Sequence, residues 1–384
     1  MQAGQATAND ALWQEARQRM TARIRATMAM PLDGFPHYAD PDSGKWVTSP
    51  DGFWTGGFWV GELWLAGGSG PEGREFRDAA EAWLRRLSVR VNSNSVFRAF
   101  LFFYGAVPGA ELANNAYARQ IGIATARSLA GGFNPIAGVI PLGTDAEESH
   151  TVGNSDSNID GLIASPILLW AARETGDGEL KKIALSHAKR NAEFCVQTDG
   201  SVIQSVSFDP ASGALTRRFT HKGIAPNSIW TRAQAWAMLG YSLSASLAPG
   251  ERWLLDHADR VARWWMSHVP ADRVAYWDFN APRTPETKRD TSGTAIAAAS
   301  LLRLAAVHPD RDQGARCRRF AEETVRALVE RHLRPSGILA DGCFDPNNGT
   351  AVANELIWGD YFLYEALTGL SGGGRATLFP TGKS

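Results

Sequence analysis

The sequence predicts an all-α fold, an (α/α)6 barrel in which six helical hairpins close into a double ring. Three observations predict it. Apolar residues recur at i, i+3, i+4 and i+7 along most of the chain, with almost no strand alternation. The helical segments alternate between charged and apolar, and their connections alternate between short and long. Twelve segments carry the pattern, at about 10–28, 57–67, 73–90, 95–106, 113–129, 159–174, 178–196, 229–247, 251–268, 291–307, 312–331 and 354–369.

Odd-numbered segments such as REFRDAAEAWLRRL and QGARCRRFAEETVRALVERHL are charged along one face, as helices of an outer ring should be. Even-numbered segments such as SIWTRAQAWAMLGYSL and SGTAIAAASLLRLAA carry few charges and suit an inner ring buried on most sides. Links from even to odd segments are short, as in TGD at 175–177 and APG at 248–250, the length expected between antiparallel neighbours. Links from odd to even segments are mostly long: 29–56, 130–158, 197–228, 269–290 and 332–353. In a toroid these long links emerge at one end, so a functional site is expected at that mouth, where the even helices begin. Residues 1–370 read as one (α/α)6 catalytic domain, and 371–384, SGGGRATLFPTGKS, as a flexible tail.

Among the 384 residues, 39 Lys and Arg face 40 Asp and Glu, a net charge of −1. That balance argues against nucleic acid and against an anionic membrane surface, whose binding needs a one-sided basic face. Fourteen Trp and 38 Gly suit the aromatic walls and glycine-rich approaches of a saccharide or small-molecule cleft. Cys195, Cys317 and Cys343 are widely spaced, which suggests neither a disulfide framework nor a zinc site. The first twenty residues lack an apolar signal core, so a reducing cytoplasm is expected. Phosphate-loop, nucleophile-elbow, H-E-x-x-H and dinucleotide motifs are absent from the sequence, and no metal or cofactor is expected.

The polar runs that open the even helices hold the candidate residues: DGFWTGGFWVGELW at 51–64, GNSDSNIDGL at 153–162, THKGIAPNSIWTRAQAW at 220–236, YWDFNAPRTPETKRDTSGT at 276–294 and NGTAVANELIWGDYF at 348–362. Asp160 stands one turn into an apolar helix, where burial should raise its pKa and suit it to general acid catalysis. Its alternative role is to cap its own first turn. Arg232, a lone charge in an apolar helix, can clamp a substrate carboxylate or pair with Asp160 or Asp360. Asp156, Ser157, Ser228 and Asp290 also fit ordinary helix N-caps. Trp54, Trp59, Trp230, Trp236, Trp277 and Trp358 lie near the predicted mouth, where indole faces can pack on sugar C–H groups. His150, His221 and Lys222 are polar loop residues beside them.

The runs WTGGFWVGELWLA (54–66), IDGLIASPILLWAARETGD (159–177), THKGIAPNSIWTRAQAWAMLGYS (220–242), YWDFNAPRTPETKRDTSGTAIAAASLL (276–302) and GDYFLYEAL (359–367) resemble, in order, motifs of the unsaturated glucuronyl hydrolases, glycoside hydrolase family 88. The resemblance spans roughly 50–370 and implies an (α/α)6 barrel. It also implies vinyl-ether hydration: protonation of C4 and addition of water at C5 of a 4,5-unsaturated uronic acid, after which the aglycone leaves. The family's acid/base aspartate falls on Asp160, its W-A-R-G-Q-A-W arginine on Arg232, and the tryptophan of W-x-x-G-F-W on Trp54. Departures surround them. The family's second carboxylate, in H-D-L-G-F, falls near Phe97 within VFRAFLFFY; its D-G-S-x-x-H histidine falls on Gln204; and its H-Q-G glutamine falls on Lys222. Asp145 or Asp156 can replace the missing carboxylate, and Asn92 or Asn94 only its hydrogen bonds.

The expected site therefore comprises Asp160 as acid/base, with Trp54, Asp156, Gln204, His221, Lys222, Trp230, Arg232 and Trp236 around the substrate. The expected partner is a small saccharide or glycoside. Two alternatives stand beside hydration of an unsaturated uronide: hydration or dehydration of another enol ether on the same fold, and a non-catalytic carbohydrate-binding protein.

Overall fold

The computed structural model describes residues 2–371 apart from Pro210; the tail expected at 371–384 lies, beyond Ser371, outside the described residues. Helical segments that alternate in burial become two concentric rings. The inner ring is α2 (Gly56–Gly67), α4 (Arg98–Gly105), α7 (Ala164–Thr175), α9 (Thr231–Leu247), α11 (Thr291–Val307) and α13 (Ile357–Ser371). Each packs on the next, and α13 packs back on α2 to close the ring. Outside lie α1 (Gln2–Met28), α3 (Arg74–Leu87), α6 (Ala116–Ala130), α8 (Gly178–Cys195), α10 (Arg252–His268) and α12 (Arg311–Arg331).

Burial follows the sequence pattern. Every residue of α9 from Thr231 to Ala245 is buried, whereas α3 buries only Phe76, Ala80, Leu84 and Leu87, a single stripe. The inner helices approach closely because small residues sit between them. A Cβ on Gly57 would lie 2.2 Å from the Leu101 carbonyl oxygen of α4. Helix ends are chemically marked: Gly176 turns left-handed after α7, and Asp177 then accepts the Glu179 and Leu180 N–H groups to start α8.

Two features depart from expectation. A thirteenth helix, α5 (Val107–Leu112), follows α4, because Pro108 lacks the N–H that would continue the ladder. The long links also contain strands. β1 (Phe35–Ala39) lies between β2 (Trp46–Ser49) and β6 (Glu355–Leu356), with Tyr38 opposite Leu356. A second antiparallel sheet runs β3 (Ser157–Asn158), β4 (Ser205–Phe208), β5 (Leu215–Phe219), with Ser157 opposite Val206. These sheets brace the mouth at the N-terminal ends of inner helices.

Candidate active site

A cleft of about 240 Å³ opens among these loops, lined by Phe53, Trp54, Phe97, Phe100, Glu147, Glu148, Asp160, Lys222, Trp230, Arg232, Trp236, Phe344 and Asp345. Asp160 enters it from a single 3-10 segment, Ile159–Ile163, that precedes α7. Asn158, not Asp160, caps that segment by accepting the Gly161 N–H at 3.0 Å, so the aspartate is released from the capping alternative. One side-chain donor reaches its carboxyl: Gln204 Nε2 donates to Oδ2 at 3.2 Å. Burial, and next the nearby Glu148 carboxylate, push Asp160 up to about 7, against the opposing pull of His221, Gln204 and Arg232.

Gln204 is itself buried and links two parts of the wall, since its Oε1 accepts the Lys222 backbone N–H at 3.1 Å. His221 sits behind the lining: its Nε2 faces Glu148 Oε2 at 3.1 Å, and Ser205 Oγ lies 2.9 Å from its Nδ1. Burial pulls the imidazole down, but the Glu148 carboxylate outweighs it and the net shift is upward. Glu148 also accepts from Asn158 Nδ2 at 2.6 Å. Burial disfavours its charge, yet His221 outweighs that cost and holds it below the usual range. Glu147, whose nearest ion-pair partner is Arg90 at 3.9 Å, is driven by burial to about 7.

Much of the remaining lining is aromatic. Trp54 packs 4.9 Å from Trp358, 5.6 Å from Phe100 and edge-on to Trp236 at 6.3 Å. These contacts fix the orientation of its half-buried indole at the cleft. Of the six tryptophans expected near the mouth, Trp54, Trp230 and Trp236 line the cleft. Trp59 and Trp358 are core, and Trp277 is buried away from the lining.

Several expectations are corrected. Arg232 pairs with neither Asp160 nor Asp360. Its guanidinium meets Asp290 Oδ2 at 3.0 Å, donates to the Cys343 and Phe344 carbonyls and stacks 4.3 Å from Trp230. Asp290 is at once the N-cap of α11 and this counter-ion. Lys222 is likewise committed, to Asp345 Oδ2 at 3.0 Å. Asp156 lies off the cleft lining and accepts the Phe208 N–H at 3.3 Å. Asp145 accepts the Asn94 N–H at 2.7 Å, Asn92 and Asn94 are exposed, and His150 is exposed. None of these supplies a second carboxylate. Glu147 and Glu148 do, and the sequence reading missed them. Their only signal is an adjacent acidic pair in a long glycine-rich link, a pattern that usually means a solvated loop.

No profile of a known protein family matches the chain. The unsaturated glucuronyl hydrolase of Bacillus sp. strain GL1 is 32% identical over 366 residues, covering 91% of this chain and 94% of that protein. A solved structure of the unsaturated glucuronyl hydrolase from Bacillus sp. GL1 superposes with a TM-score of 0.85 at 31% identity, over 97% of this chain and 100% of the other. A second solved structure, of a substituted UGL with dGlcA-Glc-Rha-Glc, gives a TM-score of 0.87 at 31% identity over the same shares.

Proposed function

The chain belongs to the unsaturated glucuronyl hydrolase family, and on that premise we propose that it hydrates the C4=C5 bond of a 4,5-unsaturated uronic acid at the nonreducing end of a small glycoside. One observation carries the reading: a buried carboxyl, Asp160, that keeps its proton up to about pH 7 inside a cleft walled by tryptophan and phenylalanine. A relative solved with dGlcA-Glc-Rha-Glc supports a small saccharide as the occupant.

The chemistry follows from one group used twice. Neutral Asp160 gives its proton to C4 as the C4=C5 electron pair forms the new C–H bond. Positive charge is left at C5 and shared with the ring oxygen. Water adds to C5, and its proton returns to the Asp160 carboxylate, restoring the acid. The hemiketal opens by breaking the bond between C5 and the ring oxygen, and the anomeric hemiacetal then releases the aglycone as an alcohol. Trp54 and Trp236 hold the sugar by its C–H faces, and Gln204 orients the Asp160 carboxyl through its 3.2 Å hydrogen bond. Arg232, held by Asp290 and two carbonyls through its two terminal nitrogens, fixes the floor of the cleft.

Incubation with unsaturated uronyl disaccharides is expected to bleach the ultraviolet absorbance of the enol ether. Asp160→Asn should lower kcat by at least about 10³-fold, the upper part of the range for general acid and base groups. Unchanged absorbance across glucuronyl disaccharides of differing linkage and sulfation would reject the reading. The three buried, unpaired thiols of Cys195, Cys317 and Cys343 favour a reducing cytoplasm as its compartment.

A further inference from the structure

The link between α6 and β3 brings two adjacent carboxyls, Glu147 and Glu148, to the same cleft as Asp160. Like charges in one poorly solvated cleft oppose each other's ionisation, so the surroundings decide which group yields its charge. Glu148 has the ionic partner, His221 Nε2 at 3.1 Å, and a hydrogen-bond donor, Asn158 Nδ2 at 2.6 Å, with the charges of Lys222 and Arg232 nearby. Asp160 has a neutral amide, Gln204, and otherwise feels His221, Arg232 and the Cys195 thiol of α8. A carboxylate needed merely to tie down the link would have no reason to line the cleft, yet Glu148 does.

We propose that Glu148 is a second functional carboxylate of this cleft: anchored by His221 and Asn158 beside Asp160, it stabilises the positive charge that C5 and the ring oxygen acquire as C4 is protonated. Its fixed charge is also the first electrostatic reason that Asp160 holds its proton, after burial itself. Glu148 thus positions the acid form of Asp160 and stabilises its transition state, while no proton passes through it. This role rests on the hydration reading above, and the test separates the two.

Wild type, Glu148→Gln and Glu148→Asp are compared on an unsaturated uronyl disaccharide across pH 5 to 9. Glu148→Gln should lose about 10²-fold to 10³-fold in kcat, the scale for removing one preorganised electrostatic partner of a developing charge, with KM changed much less. Its alkaline limb should move to lower pH, because Asp160 loses the neighbouring anion. Glu148→Asp, which keeps the charge, should retain more of kcat and keep the limb near its place. Glu148→Gln with kcat within about threefold of wild type and an unmoved limb would overturn the proposal, as would equal damage by Gln and Asp with equal loss of Tm. The Asp160 carboxyl is titrated by 13C NMR in substrate-free protein. A lower midpoint in Glu148→Gln supports the link and an unchanged midpoint overturns it, whether or not the disaccharide turns over. Wild type that never turns over the disaccharide would instead sink the hydration reading, and with it the role at C5.

Discussion

The acidic and the aromatic linings of the cleft are built by opposite physics. In the acidic lining Glu147, Glu148 and Asp160 crowd three carboxyls into a space where charge is poorly solvated, and hydrogen bonds from Gln204 and Asn158, with the His221 pair, decide which ionises. In the aromatic lining Phe53, Trp54, Phe97, Phe100, Trp236 and Phe344 offer rings fixed by ring contacts, such as Phe100 on Trp236 at 4.8 Å. On the proposed mechanism the acidic lining, expensive to keep, does the chemistry, and the aromatic lining, cheap to keep, does the binding. Burying a carboxylate without a partner costs several kcal/mol, whereas burying an aromatic ring gains about 1.5–3 kcal/mol.

The largest way to break this division is to remove the ion pair beneath both walls. Arg232→Met leaves the Asp290 charge buried without its counter-ion, held only by its hydrogen bonds at the start of α11, and should cost about 3–5 kcal/mol in urea unfolding, the usual penalty for breaking a buried ion pair. A loss below about 1 kcal/mol would mean that the Cys343 and Phe344 carbonyl contacts are dispensable and the floor is not anchored there. Next, Trp54→Ala should raise KM by roughly 10-fold to 30-fold while kcat stays within about threefold, because the aromatic wall binds substrate and transition state alike. A fall confined to kcat would place Trp54 on the chemical side.

The acidic wall should reveal its cost in stability. Asp160 moves from 3.8 to about 7 on folding, so the folded state holds the extra proton between those values and stability falls as pH rises through that window. Asp160→Asn removes this dependence. Its stability advantage over wild type should be smallest near pH 4, widen up to pH 7 by about 4 kcal/mol and then level off. A constant gap across pH would show that Asp160 is not buried in its ionised form. Smallest is Asp345→Asn, which frees Lys222 from its 3.0 Å partner and should tighten binding of a sulfated aglycone by about 3-fold, an effect that salt erases.

What the sequence reveals divides along the same line. The inner helices are legible because burial on most sides leaves few charges: TRAQAWAMLGYSLSASL has one cation, Arg232, and it stands at the mouth. Asp160 is legible for the same reason, a lone carboxyl against an apolar run. The strands are not, because they span two to five residues and their partners are remote; β1 finds β6 more than 300 residues away. Glu147 and Glu148 sit in TDAEESH, which looks like any solvated loop until Arg90, Asn158 and His221 converge on it. Arg232 was visible as a buried cation, but its partner Asp290 was hidden behind an ordinary N-cap position. A helix cap announces itself locally, while a long-range ion pair needs the ring to close.

On the proposed mechanism Asp160 protonates carbon C4 and no glycosidic bond is attacked directly. Turnover in D2O, with the product reduced as it forms, tests it by NMR. The released uronyl unit should carry one deuterium delivered to C4 and no C4=C5 double bond, and Asp160→Asn should yield none of it. A released sugar that still contains the C4=C5 bond would rule out protonation of C4 by Asp160.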